Sequence, residues 1–152
     1  MSCHLLFLLT LLGPFGETSA PGFDQFGNAH QLENPGADLI IVDFAASWCK
    51  PCWKALPRLQ ALSERYPRLK ILVASQDRDA AGRDRLVREL GLTIPVIWDK
   101  ENAWAERFQP KGMPATFVVS GDGKVLYQTV GESTKSWEAL LQFVTSLLRQ
   151  GP

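Results

Sequence analysis

Cysteine is scarce in this chain of 152 residues, which holds three, and the scarcity excludes the small secreted scaffold stapled by several disulfides. Histidine is scarcer still, with only His4 and His30. Together with Cys3 they offer no second ligand pair at the spacing a structural zinc ion needs. An excess of one charge is also missing: sixteen basic and sixteen acidic residues cancel. Without a basic balance or a Lys/Arg cluster, neither nucleic acid nor an anionic membrane surface is an expected partner. No apolar run approaches the roughly 20 residues that a bilayer-crossing helix needs. Repeats and low-complexity tracts are absent as well. What remains is a chain 45% hydrophobic, long enough to bury one proper core.

The longest apolar run, Leu5–Leu12, is broken only by Thr10 and is followed by Pro14, Gly16, Ser19 and Ala20. An apolar stretch, a helix breaker and then small residues is the order of an export signal. Residues 1–20 are therefore read as a signal peptide or amino-terminal segment, and 21–152 as the domain. No Lys or Arg precedes the run and Pro21 follows Ala20, which leaves an amphipathic amino-terminal segment as the alternative. Cleavage would remove Cys3 and imply a periplasmic or otherwise extracytoplasmic protein. An uncleaved signal would hold the chain at a membrane, and a segment that is no signal would leave it in the cytoplasm.

Chemistry concentrates in Trp48-Cys49-Lys50-Pro51-Cys52. Before it, Leu39–Ala45 is short, β-branched and almost wholly apolar, a buried central strand. After it, Ala55, Leu59, Leu62 and Tyr66 recur at helical spacing. The cysteines thus open a helix at the carboxyl end of a strand, where unpaired backbone N–H groups and the helix dipole favour an anion. A thiolate is such an anion, and its pKa falls below the free value of about 8.5. A second thiol three residues on can then attack a mixed disulfide and release the partner. An inert disulfide over so short a loop would restrain the unfolded chain little, so dithiol–disulfide exchange is the expected use.

The remaining pattern alternates. An extended lead-in over 21–38 includes a short edge strand near Ala29–Leu32. Lys70–Gln76 is a second buried strand, and Asp77–Gly91 a charged surface helix ended by its glycine. Ile94–Trp98 is a third strand, and Asn102–Phe108 a short helix. Gly112-Met113-Pro114 turns into the strand Ala115–Ser120. A Gly121-Asp122-Gly123 hairpin leads to Lys124–Val130, and Thr134–Arg149 closes the chain as an amphipathic helix. This order implies an α/β sandwich, a central mixed sheet with helices on both faces.

From about Leu39 to Leu148 the chain resembles thioredoxin-fold proteins. Asp43, six residues before Cys49, stands where thioredoxins keep a buried acid. The Cys49-Lys50-Pro51-Cys52 loop is similar to theirs, with Lys50 in place of a glycine. Pro57 matches a kink proline, and Met113-Pro114-Ala115-Thr116 the segment that carries a cis-proline facing the disulfide. The longer Asp77–Pro110 region and Ala45-Ala46-Ser47-Trp48-Cys49 are similar to the TlpA/ResA group of extracytoplasmic thiol–disulfide oxidoreductases, many of which serve cytochrome c maturation. Two departures stand out. Val73-Ala74-Ser75 lacks the lysine that thioredoxins place near the buried acid, and the acid of ResA-like proteins has no counterpart.

The resemblance implies roles. Cys49 is the exposed attacking thiolate, with Lys50 and Pro51 shaping its loop, and Cys52 the covered resolving thiol. Asp43 is the base, its carboxyl pushed toward neutrality by desolvation; a solvated acid at a strand end is the alternative. Trp48, Met113 and Pro114 would meet substrate, the Met113 main chain by strand addition, with a trans turn at Pro114 as the plainer possibility. Protein disulfides and an upstream thiol donor are the expected partners, the redox pair the only cofactor, and the monomer the expected state. A disulfide oxidase or isomerase and a thiolate carrier of metal or apoprotein are the competing functions. His30 is expected as a solvated loop residue, and Trp48 as packing over the loop.

Overall fold

The structure, a computed structural model, describes residues 20–150. The expected signal segment, 1–20, therefore falls outside the described residues except for Ala20, as does Cys3. A small ribbon comes first, β1 (Gly22–Phe23) paired antiparallel with β2 (Ala29–His30). Then follow β3 (Leu39–Ala45), α1 (Cys52–Arg65), β4 (Leu69–Ser75), α2 (Ala80–Leu90) and β5 (Val96–Trp98). A 3₁₀ turn (Lys100–Asn102) precedes α3 (Ala103–Phe108), and β6 (Ala115–Ser120), β7 (Val125–Val130) and α4 (Thr134–Leu148) complete the domain.

The main sheet has the order β5-β4-β3-β6-β7. Strands β3, β4 and β5 run parallel, while β6 lies antiparallel to β3 and β7 antiparallel to β6. Every residue of β3 is buried, which explains its unbroken apolar character at the centre of a sheet covered on both faces. Alternation along the strands divides the core in two. Leu39, Ile41, Ala45, Ile71, Val73 and Val118 face Leu56, Leu59, Leu86, Leu140 and Val144 of α1, α2 and α4. Ile40, Val42, Phe44, Leu72, Phe117 and Val119 face Leu32 of the lead-in and Trp104 and Phe108 of α3. The mixed sheet between helical layers is the architecture the alternation implies. No helix among the described residues is long and apolar enough to cross a membrane.

Local chemistry explains the ends. The Asp79 side chain caps α2 by accepting from Gly82 N–H, and Gly91 closes that helix at φ 61°, the left-handed geometry glycine favours. Ser133 and Ser136 form a reciprocal capping box at α4. Two readings need correction. The helix expected from Asp77 begins at Ala80, and Asp77 is buried rather than solvated. His30 is no free loop residue: its Nε2 lies 2.8 Å from Asp24 Oδ2, a carboxylate that also accepts the Phe26 and Asn28 N–H groups and so holds the ribbon's turn.

Candidate active site

Strand β3 delivers Ala45 and Ala46 into the core, and the chain then turns through Ser47–Pro51 into α1. Backbone bonds from Cys49 N to Ala46 O, Cys52 N to Cys49 O and Trp53 N to Lys50 O, each 3.1 Å, wind the loop tightly. A buried carboxylate fastens its first residue. Ser47 N–H donates to both oxygens of Asp77 at 3.1 Å, Ser47 Oγ donates to Oδ1 at 2.6 Å, and Ser75 Oγ donates to Oδ2 at 2.8 Å. The indole N–H of Trp53 donates to Ser47 O at 2.9 Å, and that of Trp98 to Asp77 O at 3.0 Å. The loop is therefore held by the end of β4 and by α1 itself.

Pro51 occupies the cap position of α1 and offers no side-chain oxygen, and the first turn carries no acid. The helix's positive end is left to the sulfur pair that opens it, an arrangement that favours a thiolate. Cys49 and Cys52 are joined in a disulfide, their Cα atoms 5.4 Å apart. Cys49 is 6% exposed and Cys52 fully buried, so the expectation of an exposed Cys49 needs correction: the sulfur pair is recessed. A cleft of about 620 Å³ nevertheless borders Cys49, Lys50 and Pro51 without reaching Cys52. Attack from outside accordingly finds Cys49 first.

Across the cleft lie Lys111, Gly112 and Met113. The Met113–Pro114 peptide is cis, Pro114 is buried, and its carbonyl accepts from Gly131 N–H at 2.8 Å. No hydrogen bond occupies the Met113 main chain among the described residues. Trp48 stands 66% exposed at the cleft's rim, and the indole that bonds back to the loop is that of Trp53.

Asp43 lies in β3 on the face that carries Ile41 and Ala45, beneath α1. It is fully buried, which rules out the solvated strand-end acid. Burial pushes its carboxyl from 3.8 up to about 7, and the hydrogen bond from Thr116 works against that rise. Thr116, its register partner on β6, donates from Oγ1 to Oδ1 at 2.7 Å. Oδ2 has no hydrogen-bond partner. On the other side the register partner is Val73, so the missing lysine leaves an apolar wall. A cavity of about 20 Å³, room for one water, touches Thr116 between α1, β7 and α4, with the Arg58–Glu132 ion pair (2.6 Å) in its wall.

The structure thus gathers Cys49, Lys50, Pro51, Trp48 and Met113 around one opening, with Cys52 buried behind Cys49, Pro114 buried beside Met113 and Asp43 beneath the helix. Sequence reasoning missed Thr116, Asp77, Gln76 and Lys111. Strict alternation along β6 could have put Thr116 on a sheet face, but which strand β6 adjoins is a non-local fact. Among the described residues no group of three or more His, Cys, Asp or Glu side chains is gathered as for a metal.

A strand–loop–helix disulfide beside a cis-proline, on a central mixed sheet of this order, defines a protein of thioredoxin type. The chain belongs to the thioredoxin-like family, whose pattern matches residues 36–125. The thiol–disulfide oxidoreductase ResA of Bacillus thuringiensis (strain Al Hakam) is 30% identical over 121 residues, 76% of this chain and 70% of that one. ResA of Bacillus cereus (strain ZK / E33L) is 29% identical over 132 residues, 83% of this chain and 76% of its own. Among solved structures, one assigned to the thiol:disulfide interchange protein DsbE of Chlorobium tepidum superposes with a TM-score of 0.78 at 24% identity, covering 86% of this chain and 93% of that one. StoA of Bacillus subtilis gives 0.68 at 20%, covering 78% and 91%. With the redox-active pair in place, the chain is a thiol–disulfide oxidoreductase of the TlpA/ResA-like group.

Proposed function

We propose that the protein reduces disulfides of other proteins outside the cytoplasm and is itself reduced by an upstream thiol donor. The observation that carries this reading is the Cys49–Cys52 pair at the start of α1, with only Cys49 bordering an open cleft. In the reduced protein the Cys49 thiolate attacks a substrate disulfide. One S–S bond breaks, a substrate thiolate leaves, and a mixed disulfide forms. Cys52 then loses its proton to Asp43 and attacks Cys49, which re-forms the intramolecular disulfide and releases the second substrate thiolate. Two electrons pass to the substrate; Asp43 holds the one proton that Cys52 gives up and later returns it to solvent, and the two departing thiolates are protonated from water.

Three features support the assignment of roles. Asp43 takes a proton near neutrality because its burial raises the carboxyl to about 7. Lys50 is exposed beside Cys49 and adds a cation to the field that favours the thiolate. The unbonded Met113 main chain offers an extended substrate a strand-like partner. The extracytoplasmic setting rests on the export-like order of residues 5–20.

The test is a Cys52→Ser variant in the native host. It should accumulate mixed disulfides through Cys49 with proteins of the exported compartment. In Asp43→Asn, resolution at neutral pH should slow by about 100-fold, the lower end of what a general base contributes, with the fold intact. Failure to trap any partner, or resolution in Asp43→Asn as fast as in the parent at every pH, would reject the corresponding role.

A further inference from the structure

The cleft beside Cys49 is charged in one sense only. Lys50 borders it from the active-site loop and Lys111 from the loop before β6, and no lining residue carries a carboxylate. Both lysines are exposed, and neither enters an ion pair among the described residues. The carboxylate that stands behind the cleft is turned inward. Asp99 is buried, and its oxygens accept from Trp104 N–H, Ala105 N–H and the Gln76 side-chain amide, each at 2.9 Å. Gln76 therefore shows the cleft a neutral amide where the anion would otherwise be felt. Asp77 is likewise occupied by Ser47 and Ser75. With the chain's net charge at zero, this cationic opening is a local feature.

We propose that the substrates of this site are extended polypeptide segments with Asp or Glu beside the disulfide cysteine, drawn in by Lys50 and Lys111. The proposal rests on the exchange reading above and adds its specificity. An extended segment paired along Met113 with its sulfur at Cys49 passes between the two ammonium groups, so residues flanking the cysteine meet one or the other. Acidic flanks gain attraction on approach and basic flanks meet repulsion, an effect that acts mainly on the association rate and weakens with salt.

The experiment mixes the reduced full-length protein with three peptides that differ only in flanking residues (Glu, Gln or Lys), each activated as a pyridyl disulfide. Cys49 attacks the peptide sulfur, pyridine thione leaves, and Cys52 then displaces the peptide thiol. Release of the chromophore reports the first step whatever the protein's potential. The Glu-flanked peptide should react about tenfold faster than the Lys-flanked one at low ionic strength, with the Gln peptide between them. The gap should close to about twofold near 1 M salt, where the screening length is about 3 Å. In Lys111→Glu the ratio of Glu- to Lys-flanked rates should fall to about one or below; Lys111→Gln should give an intermediate ratio. Equal rates for the three peptides, or a ratio untouched by Lys111→Glu, would overturn this inference and leave the exchange reading standing. Failure of all three peptides to react would overturn both.

Discussion

At Asp43 two influences oppose each other on one carboxyl. Removal from water raises it toward neutrality, and the Thr116 hydroxyl, which donates to Oδ1, stabilises the anion and holds it down. Thr116→Val keeps the shape and deletes the donor, so the carboxyl should titrate about one pH unit higher. The pH midpoint of mixed-disulfide resolution should move up with it, and Thr116→Ser should restore the midpoint. A merely structural threonine would alter stability and leave the midpoint in place. The buried acid itself was legible in the sequence, because the unbroken apolar run of Leu39–Ala45 marks a strand covered on both faces, so an acid within it is covered too. Its hydroxyl partner was not, since Asp43 and Thr116 are brought together by strand pairing across 73 residues of chain. The recessed position of Cys49 was equally hidden: a helix start predicts an acidic thiol and says nothing of what covers it.

Among the elements, the contact of α2 with the active-site loop has the most particular chemistry. The helix approaches Asp77 so closely that a Cβ on Gly82 would stand 2.5 Å from Oδ1. In an exposed helix, glycine to alanine stabilises by up to about 1 kcal/mol. Here the sign should reverse, with Gly82→Ala losing about 1–3 kcal/mol as the methyl displaces the carboxylate that holds Ser47. Urea denaturation of the oxidised protein gives the sign directly, and faster proteolysis between Ala46 and Lys50 should accompany the loss. The charged stretch beginning at Asp77 reads as a solvated surface from its composition. Its first acid is buried because Ser47, from a distant loop, and Ser75 supply hydroxyls that no helical pattern reveals. The end of the same helix was legible, since only a glycine such as Gly91 takes a left-handed cap without strain.

For the whole molecule, the raised carboxyl of Asp43 ties stability to pH. The folded state keeps this proton up to about pH 7 and the unfolded chain releases it near 3.8. The advantage is complete below about 3.8 and is lost as pH rises through 7. Across that window the oxidised protein should lose up to roughly 4 kcal/mol relative to Asp43→Asn, three units at about 1.4 kcal/mol each. Denaturation of the two proteins at pH 4 and pH 8 measures the difference; parallel curves would place the carboxyl near its ordinary value. The layered sheet behind this behaviour was largely legible, because alternating strands and helices permit few arrangements. The order of its edges was not, and one edge has a detail of its own. The side-chain amide of Gln25 donates to Ile94 O at 2.9 Å and accepts from Val96 N–H at 2.8 Å, copying with one residue the bonds a neighbouring strand would make. A protein that exchanges disulfides with client proteins meets strands that could zip onto any open border. At β5 that border is already hemmed, so one of the two places where a foreign strand could extend the sheet is taken before a client arrives.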